Sequence, residues 1–522
     1  MRGDGLRTLG DVLDEAFVTY PDVPVFFRSR DAIVARPLAD LLDEARAVAA
    51  GLKALGVGPG SRVAVQLPNC QEHFVVQAAS IILGAVLVPI VPVFGAVELG
   101  AILADAAPDV LVVRDRWRTF DYLHNIDQLS ARQRPRHVVV AGAQVPKGTV
   151  SFDFLHDQGR IETVHHAEPD DPVLIIYTSG STGVPKGVIH SHRSILAEAA
   201  EPQYAASPSG DGPQQMQATG AGHIGGYLYA VRIMQYGNRI LVLDWWDTEV
   251  AARAIAEFRI RMFAGTPFHL ASVLDVGAGL ELNLSHLKQV VIGGAPVSPH
   301  LIERADAAGV IAVRSYGLSE HPTVATGRFE DDLFVRANFD GVPGEGTEIL
   351  IVNDAGVPVG PGVAGEVLTR GPDRFVGYTN VPDAEAFAEG GWLRTGDIGR
   401  LDAQGRLTIV DRKRHIIIRG GENLSIAEIE MTVARHPDVA EVAVVGVPDE
   451  RYGERVCAFV VPKQSRTVTL ESLAQLFAEL GVARQKVPEF LEIVDSLPYG
   501  GLQKVRRNVL KQMFAERHGR KV

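Results

Sequence analysis

The chain has 522 residues, more than one hydrophobic core sustains, so at least two domains are expected. Apolar residues make up 46% and charged residues 22%, the balance of an ordinary globular protein. The formal net charge of −12 disfavours nucleic acid as a partner, and two distant cysteines, Cys70 and Cys457, exclude a disulfide framework and suit a reducing compartment.

Taken in chain order, the N-terminal stretch ending at Val18 carries early acidic side chains and no apolar signal core, so a cytoplasmic location is expected. Residues 41–55 have helical periodicity, and 62–67 form a short apolar run. Residues 73–97 carry no formal charge and are long enough to suggest a membrane span. Gly84, Pro89 and Pro92 interrupt them, so they read instead as a buried helix over 74–83 and a buried strand over 85–90, with no membrane span. Runs at 110–113, 138–140 and 173–177 resemble buried strands, and a second set follows at 240–243, 262–263, 290–292 and 311–314. Strands alternating with helical stretches predict an α/β fold of layered subdomains with largely parallel sheet. From about Gly341 short strands at 347–352, 365–369 and 406–410 lie between Gly-, Asp- and Pro-rich turns, a pattern that suits a small β-barrel. After Asp411 the cluster Arg412, Lys413, Arg414 opens a stretch with helix and strand signals of its own. The expected domains are 1–411 and a smaller α+β domain, 412–522.

The densest chemical signal is Tyr177-Thr-Ser-Gly-Ser-Thr-Gly-Val-Pro-Lys-Gly-Val188, placed after an apolar strand and before a stretch expected to be helical. Its glycines let backbone N–H groups approach a polyphosphate, its hydroxyls add donors, and Lys186 adds a cation. It is not a Walker A loop, because Pro185 precedes the lysine and Gly187 follows it, nor does it match Gly-x-Gly-x-x-Gly. A flexible surface loop would not need that density of glycine, hydroxyl and lysine. No histidine pair has metal-site spacing: His165-His166 and His190-Ser-His192 read as structural or solvated.

The segment resembles the phosphate loop of the adenylate-forming superfamily of acyl- and aryl-CoA ligases, peptide-synthetase adenylation domains and luciferases. Four further segments carry the resemblance in the family's order: Ser315-Tyr-Gly-Leu-Ser-Glu320, Gly391-Trp-Leu-Arg-Thr-Gly-Asp397, Asp411-Arg-Lys-Arg-His-Ile-Ile-Ile-Arg-Gly-Gly-Glu-Asn423 and Leu497-Pro-Tyr-Gly-Gly-Leu-Gln-Lys504. The resemblance covers nearly the whole chain. The resemblance implies an ATP-dependent, AMP-forming acid–CoA ligase, with Mg²⁺ and with coenzyme A as co-substrate. It implies that 1–411 binds ATP and the acid and that 412–522 is a mobile catalytic domain.

By the same resemblance, Thr178, Ser179, Gly180, Ser181, Thr182, Gly183 and Lys186 would hold the ATP phosphates. Gly294 and Ala295 would lie along adenine, and Tyr316 would stack on it beside Gly317 and Ser319. Thr182 and Glu320 would be the metal ligands, oxygen donors suited to a hard cation. Asp397 would accept from the ribose hydroxyls and Arg412 would add a ribose contact. Lys504 would set its ammonium between the substrate carboxylate and the α-phosphate, although Gln503 stands where the family usually has glycine. Arg414 takes the hinge place that the family usually gives to Lys or Asp, and Gly420, Gly421 and Glu422 would swing toward CoA.

Gly222-His223-Ile-Gly-Gly-Tyr227 resembles a segment lining the family's acid site. His223 would gate the pocket or contact the carboxylate, with a packed core histidine as an equal reading, and Gly225 and Gly226 would leave room for bulk. No Asp or Glu stands between Gln217 and Ala230, where amino-acid-activating relatives pair the substrate ammonium, so an acid without an α-amino group is expected. A medium-chain, branched, alicyclic or aromatic acid all stay open. Trp245-Trp246 is read as buried packing. Two other readings remain: a ligase that loads a carrier protein or stops at the acyl-adenylate, and a catalytically silent nucleotide-binding homologue. The compact stretch between Glu320 and Asp397 favours CoA as acceptor. The expected partners are a small carboxylic acid, ATP and CoA, with a homodimer as the working assembly.

Overall fold

The computed structural model describes residues 7–29, 32–178, 185–202, 212–412, 416–419, 422–449, 453–480, 482, 484–499 and 505–519. The chain divides into two compact units, Met1–Ile349 with Thr369–Leu393, and Leu350–Leu368 with Arg394–Val522.

In the first unit, the charge-free stretch forms the helix Gln71–Leu83 and the strand Val86–Pro89. Gly84 ends the helix in the left-handed region at φ 66°, where a Cβ would lie 2.2 Å from the His165 ring. Among the described residues no helix is long and apolar enough to cross a membrane. Every residue from His73 to Leu83 is buried, because the helix lies between two sheets.

The first sheet runs parallel in the order Pro172–Thr178, Val86–Pro89, Arg62–Gln66, Val110–Arg114 and His137–Ala141. Lys186–Ser191 and Gly377–Tyr378 extend its first edge antiparallel. The second sheet runs parallel through Ile311–Leu318, Gln289–Ile292, Met262–Gly265, Gln215–Gln217, Ile240–Leu243 and Pro24–Arg28. Such sheets need cover on both faces. Helices Leu38–Ala54, Gln71–Leu83 and Ile224–Tyr236 fill the space between them, burying Leu41, Val75 and Val231 with Val63 of one sheet and Val242 of the other. Thr248–Phe258, Pro267–Gly279 and Pro299–Ala307 cover the far face of the second sheet, and Ala96–Ala106 covers that of the first. The α/β alternation of the sequence is thus a stack of helix, sheet, helix, sheet and helix.

The segment after the phosphate loop is not a helix but the strand Lys186–Ser191, and the helix starts only at His192. Adjacent β-branched Val188 and Ile189 favour extended backbone, and the Ser191 hydroxyl caps the helix that follows by accepting from the Ser194 N–H. Trp246 packs against Phe263 and His269, as expected, whereas Trp245 is 40% exposed beside Trp117.

The short strands predicted after Gly341 are found at Glu348–Val352, Gly365–Arg370 and Leu407–Arg412. Within the second unit, the Thr395 hydroxyl donates to the Val367 carbonyl at 2.7 Å. The rest of this unit is a sheet ordered Glu422–Ser425, Ile416–Arg419, Gly453–Pro462 and Val439–Asp449, with Phe490–Ile493 parallel to Gly453–Pro462. Ile429 and Phe477, from helices Ile426–Val433 and Leu470–Glu479, cover one face. Leu510 and Phe514 of Arg507–His518 cover the other. This is the α+β composition expected there.

Candidate active site

The phosphate loop opens and closes on paired strands. Thr178 and Lys186 sit opposite each other in the antiparallel register of Pro172–Thr178 and Lys186–Ser191. Ser179, Gly180, Ser181, Thr182 and Gly183 lie outside the described residues. Asp105 anchors the base of the hairpin: the Tyr177 and Thr379 hydroxyls each donate to its Oδ2 at 2.5 Å. Burial and that carboxylate push the Tyr177 phenol pKa up. The Asn380 amide donates to the Pro185 carbonyl at 2.9 Å. A Cβ on Gly187 would lie 2.6 Å from Thr379 Oγ1, so glycine lets residues 377–380 press against the hairpin.

Glu320 stands at the tip of a second hairpin, between Ile311–Leu318 and His321–Thr326. Gly317 is required there, since a Cβ would fall 1.8 Å from the Pro322 carbonyl oxygen. The backbone on each side of Glu320 is clamped. The Phe375 N–H donates to the Glu320 carbonyl at 2.8 Å, and His190 Nε2 lies 2.7 Å from the Ser319 carbonyl. A carbonyl can only accept, so the His190 proton sits on Nε2 and Nδ1 is free to accept from the Ser194 hydroxyl at 3.1 Å. Burial lowers the His190 pKa to about 4, so the ring is neutral. Below the hairpin, His321 Nε2 donates to Asp373 at 2.8 Å. The Thr323 hydroxyl donates to Glu198, which also accepts from Arg232 at 3.0 Å. Burial pushes the Glu198 carboxyl up against the pull of Arg232.

The two hairpins meet on Tyr378. Its hydroxyl donates to Glu320 Oε1 at 2.6 Å, and Lys186 Nζ lies 5.3 Å above its ring. The structure therefore brings Lys186 and Glu320, more than a hundred residues apart in sequence, onto a residue that sequence reasoning passed over. Tyr378 lies on the two-residue edge strand Gly377–Tyr378, too short to show periodicity.

Gly293 packs beside the Tyr316 strand, where a Cβ would be 2.7 Å from the Ser315 carbonyl oxygen. Gly294 has φ +74°, and Gly294 and Ala295 are exposed. These residues follow the strand Gln289–Ile292, which pairs with the strand that carries Tyr316.

His223 caps the helix Ile224–Tyr236 in extended conformation. The room expected over Gly226 is already taken, because a Cβ there would lie 2.1 Å from the Gly220 carbonyl oxygen. Over Gly225 it would meet Thr219 Oγ1 at 3.1 Å. Gly226 thus admits the protein's own backbone, and Gly225 faces the Thr219 side chain.

In the second unit, Asp397 is buried and pairs in register with Arg412, and its N–H donates to Thr395 Oγ1 at 3.0 Å. Glu422 begins a strand opposite Arg419. An antiparallel bridge joins Tyr499, within the Lys504 motif, to Val505 directly after it. Arg414, Gly420, Gly421, Gln503 and Lys504 lie outside the described residues. Among the described residues no group of three or more His, Cys, Asp or Glu side chains forms a metal cluster.

The family model described as AMP-binding enzyme matches residues 14–379, and that of the AMP-binding enzyme C-terminal domain matches 428–504. An indoleacetate–CoA ligase of Aromatoleum aromaticum is 32% identical, the match covering 94% of this chain and 95% of that protein. The 3-[(3aS,4S,7aS)-7a-methyl-1,5-dioxo-octahydro-1H-inden-4-yl]propanoyl:CoA ligase of Mycobacterium tuberculosis is 33% identical, over 97% of this chain and 99% of that one. The solved structure of o-succinylbenzoate CoA synthetase from Bacillus subtilis, in complex with its acyl-adenylate intermediate, superposes with a TM-score of 0.81 at 26% identity, covering 97% and 98% of the two chains.

Proposed function

This chain belongs to the AMP-binding enzyme family, in its CoA-ligase branch, and is an AMP-forming acid–thiol ligase that uses ATP, CoA and a small carboxylic acid; we propose that the acid is a medium-chain, branched, alicyclic or aromatic one without an α-amino group. The observation that carries the reading is the Tyr378 cluster, which sets a lysine and a carboxylate at the mouth of the phosphate loop. The absence of Asp and Glu between Gln217 and Ala230 supports the lack of an amino group. The indoleacetate and bicyclic propanoate relatives are consistent with bulk.

A carboxylate resists nucleophiles, and joining it to AMP supplies a leaving group. Its attack on the α-phosphate brings like charges together, so fixed cations and dipoles must offset them. Lys186 would serve the β- and γ-phosphates. Glu320 is a half-buried carboxylate on a clamped hairpin tip, an oxygen donor that fits a hard cation, so with Thr182 it would hold Mg²⁺. The ion would neutralise phosphate charge there. Thr178, Ser179, Gly180, Ser181 and Gly183 would line the phosphates, and Gly294, Ala295, Tyr316, Gly317 and Ser319 the adenine. Asp397 and Arg412 would take the ribose, Lys504 would serve adenylation, and His223, Gly225 and Gly226 would border the acyl group. A catalytic domain of 412–522 would turn about Arg414 and bring Gly420, Gly421 and Glu422 to the thioester step. A homodimer in the cytoplasm completes the proposal.

The test is a panel of acids of varied length and ring content, incubated with ATP and CoA and assayed for AMP and thioester. Equal yields of AMP and thioester with one class of acid are expected. AMP release indifferent to CoA, or release of ADP, would contradict the reading.

A further inference from the structure

Behind the segment expected to receive the acyl group is a small recess of about 30 Å³. Ala221 and Gly226 line it on one side, and Asn69, His73 and Gln77 line it on another. His73 lies on the buried helix Gln71–Leu83 and is 5% exposed, yet neither ring nitrogen has a hydrogen-bond partner. The amides around it are engaged. Asn69 Nδ2 donates to the Thr219 and Leu243 carbonyls, and its Oδ1 accepts from the Ala221 N–H. Gln77 Nε2 donates to the Tyr227 carbonyl. Thr219 Oγ1, beside Gly225, is a second buried atom without a partner. Leaving a buried polar group unpaired is costly, so the His73 ring, which lines the recess with neither nitrogen bonded, points to a ligand group that supplies the missing bonds.

We propose that His73 is a specificity-determining residue of the acyl site, and that the acid activated by this chain carries a neutral oxygen function, a ketone or a hydroxyl, in the part of the molecule remote from its carboxylate. The inference rests on the ligase reading. Remoteness follows from the lining, which includes no residue of the phosphate hairpin or of the Glu320 hairpin. Neutrality follows from the chemistry. Burial lowers the His73 pKa to about 4, so near neutral pH the ring offers one donor and one acceptor and no charge. No lysine or arginine lines the recess to balance a second carboxylate. The volume admits one oxygen-sized group, not a ring.

Cyclohexylpropanoic acid, its ring ketone and its ring alcohol form a matched set. Acid-dependent pyrophosphate exchange is measured with each for the wild-type chain, His73→Leu and His73→Gln. A site built to bond an oxygen rejects the analogue lacking it, so the wild type should favour the ketone or the alcohol over the parent by at least about 10-fold in kcat/KM. His73→Leu should erase that ratio through KM for the oxygenated acid, and His73→Gln, which keeps a donor and an acceptor, should restore part of it. The ratio is internal to each variant, so partial unfolding cancels. A wild type without preference, as when the recess holds only ordered water, overturns the proposal. So does a His73→Leu variant that lowers all three acids equally. Exchange with none of these acids nor with any of the wider panel overturns the ligase reading itself, whereas exchange with an unmoved ratio overturns the role of His73 alone.

Discussion

Tyr378 is the residue on which the site turns. Its hydroxyl holds Glu320 and its ring faces Lys186. Tyr378→Phe removes one hydrogen bond to a charged group, worth about 1.5–3 kcal/mol, and so should slow pyrophosphate exchange by roughly 10- to 100-fold. The Mg²⁺ concentration for half-maximal exchange should rise with it, and a magnesium titration of both proteins checks this. An unchanged titration would remove Tyr378 from the site. Buried imidazoles set a second prediction. Burial lowers His73, His190, His192 and His269 from 6.5 to about 4. Between those values the unfolded chain binds more protons than the folded one, so their contribution is present above 6.5 and lost as pH falls toward 4, at up to about 1.4 kcal/mol per pH unit for each ring. The urea midpoint should therefore drop between about pH 7 and about pH 5, and less steeply in His190→Gln than in the wild type. A flat profile would contradict the neutral assignment.

At the scale of elements, the two hairpins are made possible by glycines that leave no room for a side chain. Gly317→Ala would drive a Cβ to 1.8 Å from the Pro322 carbonyl oxygen, shifting the turn that carries Glu320. Overpacking of this kind costs about 1–3 kcal/mol, and exchange activity should fall further than the thermal midpoint. Equal losses would mean that the hairpin is only structural. The Val173–Tyr177 run and the glycine-rich loop were legible because an apolar strand followed by hydroxyls and a lysine is an uncommon string. The strand after the loop was not, since six residues beginning Lys186-Gly187 carry too few side chains to tell strand from helix. Tyr378, Asp373 and Glu198 bond Glu320, His321 and Thr323 from positions more than 50 residues away, and no local periodicity reports such a meeting. The space over Gly226 was misread because a small residue in sequence does not say whether ligand or backbone fills the gap.

At the scale of the molecule, the layered α/β unit and the α+β sheet of the second unit follow from strand and helix alternation that the sequence displays openly. The family match over 14–379 and 428–504 gives that architecture its chemistry. On the proposed function, carboxylate activation and thioester formation are separate steps, and Lys504 would serve only the first. The direct measurement is Lys504→Ala assayed in both half-reactions: acid-dependent pyrophosphate exchange, and thioester formation from supplied acyl-adenylate and CoA. Exchange should fall by at least about 100-fold, the scale of a lost transition-state contact, with thioester formation largely kept. Exchange that survives the substitution, or both half-reactions falling together, would contradict it.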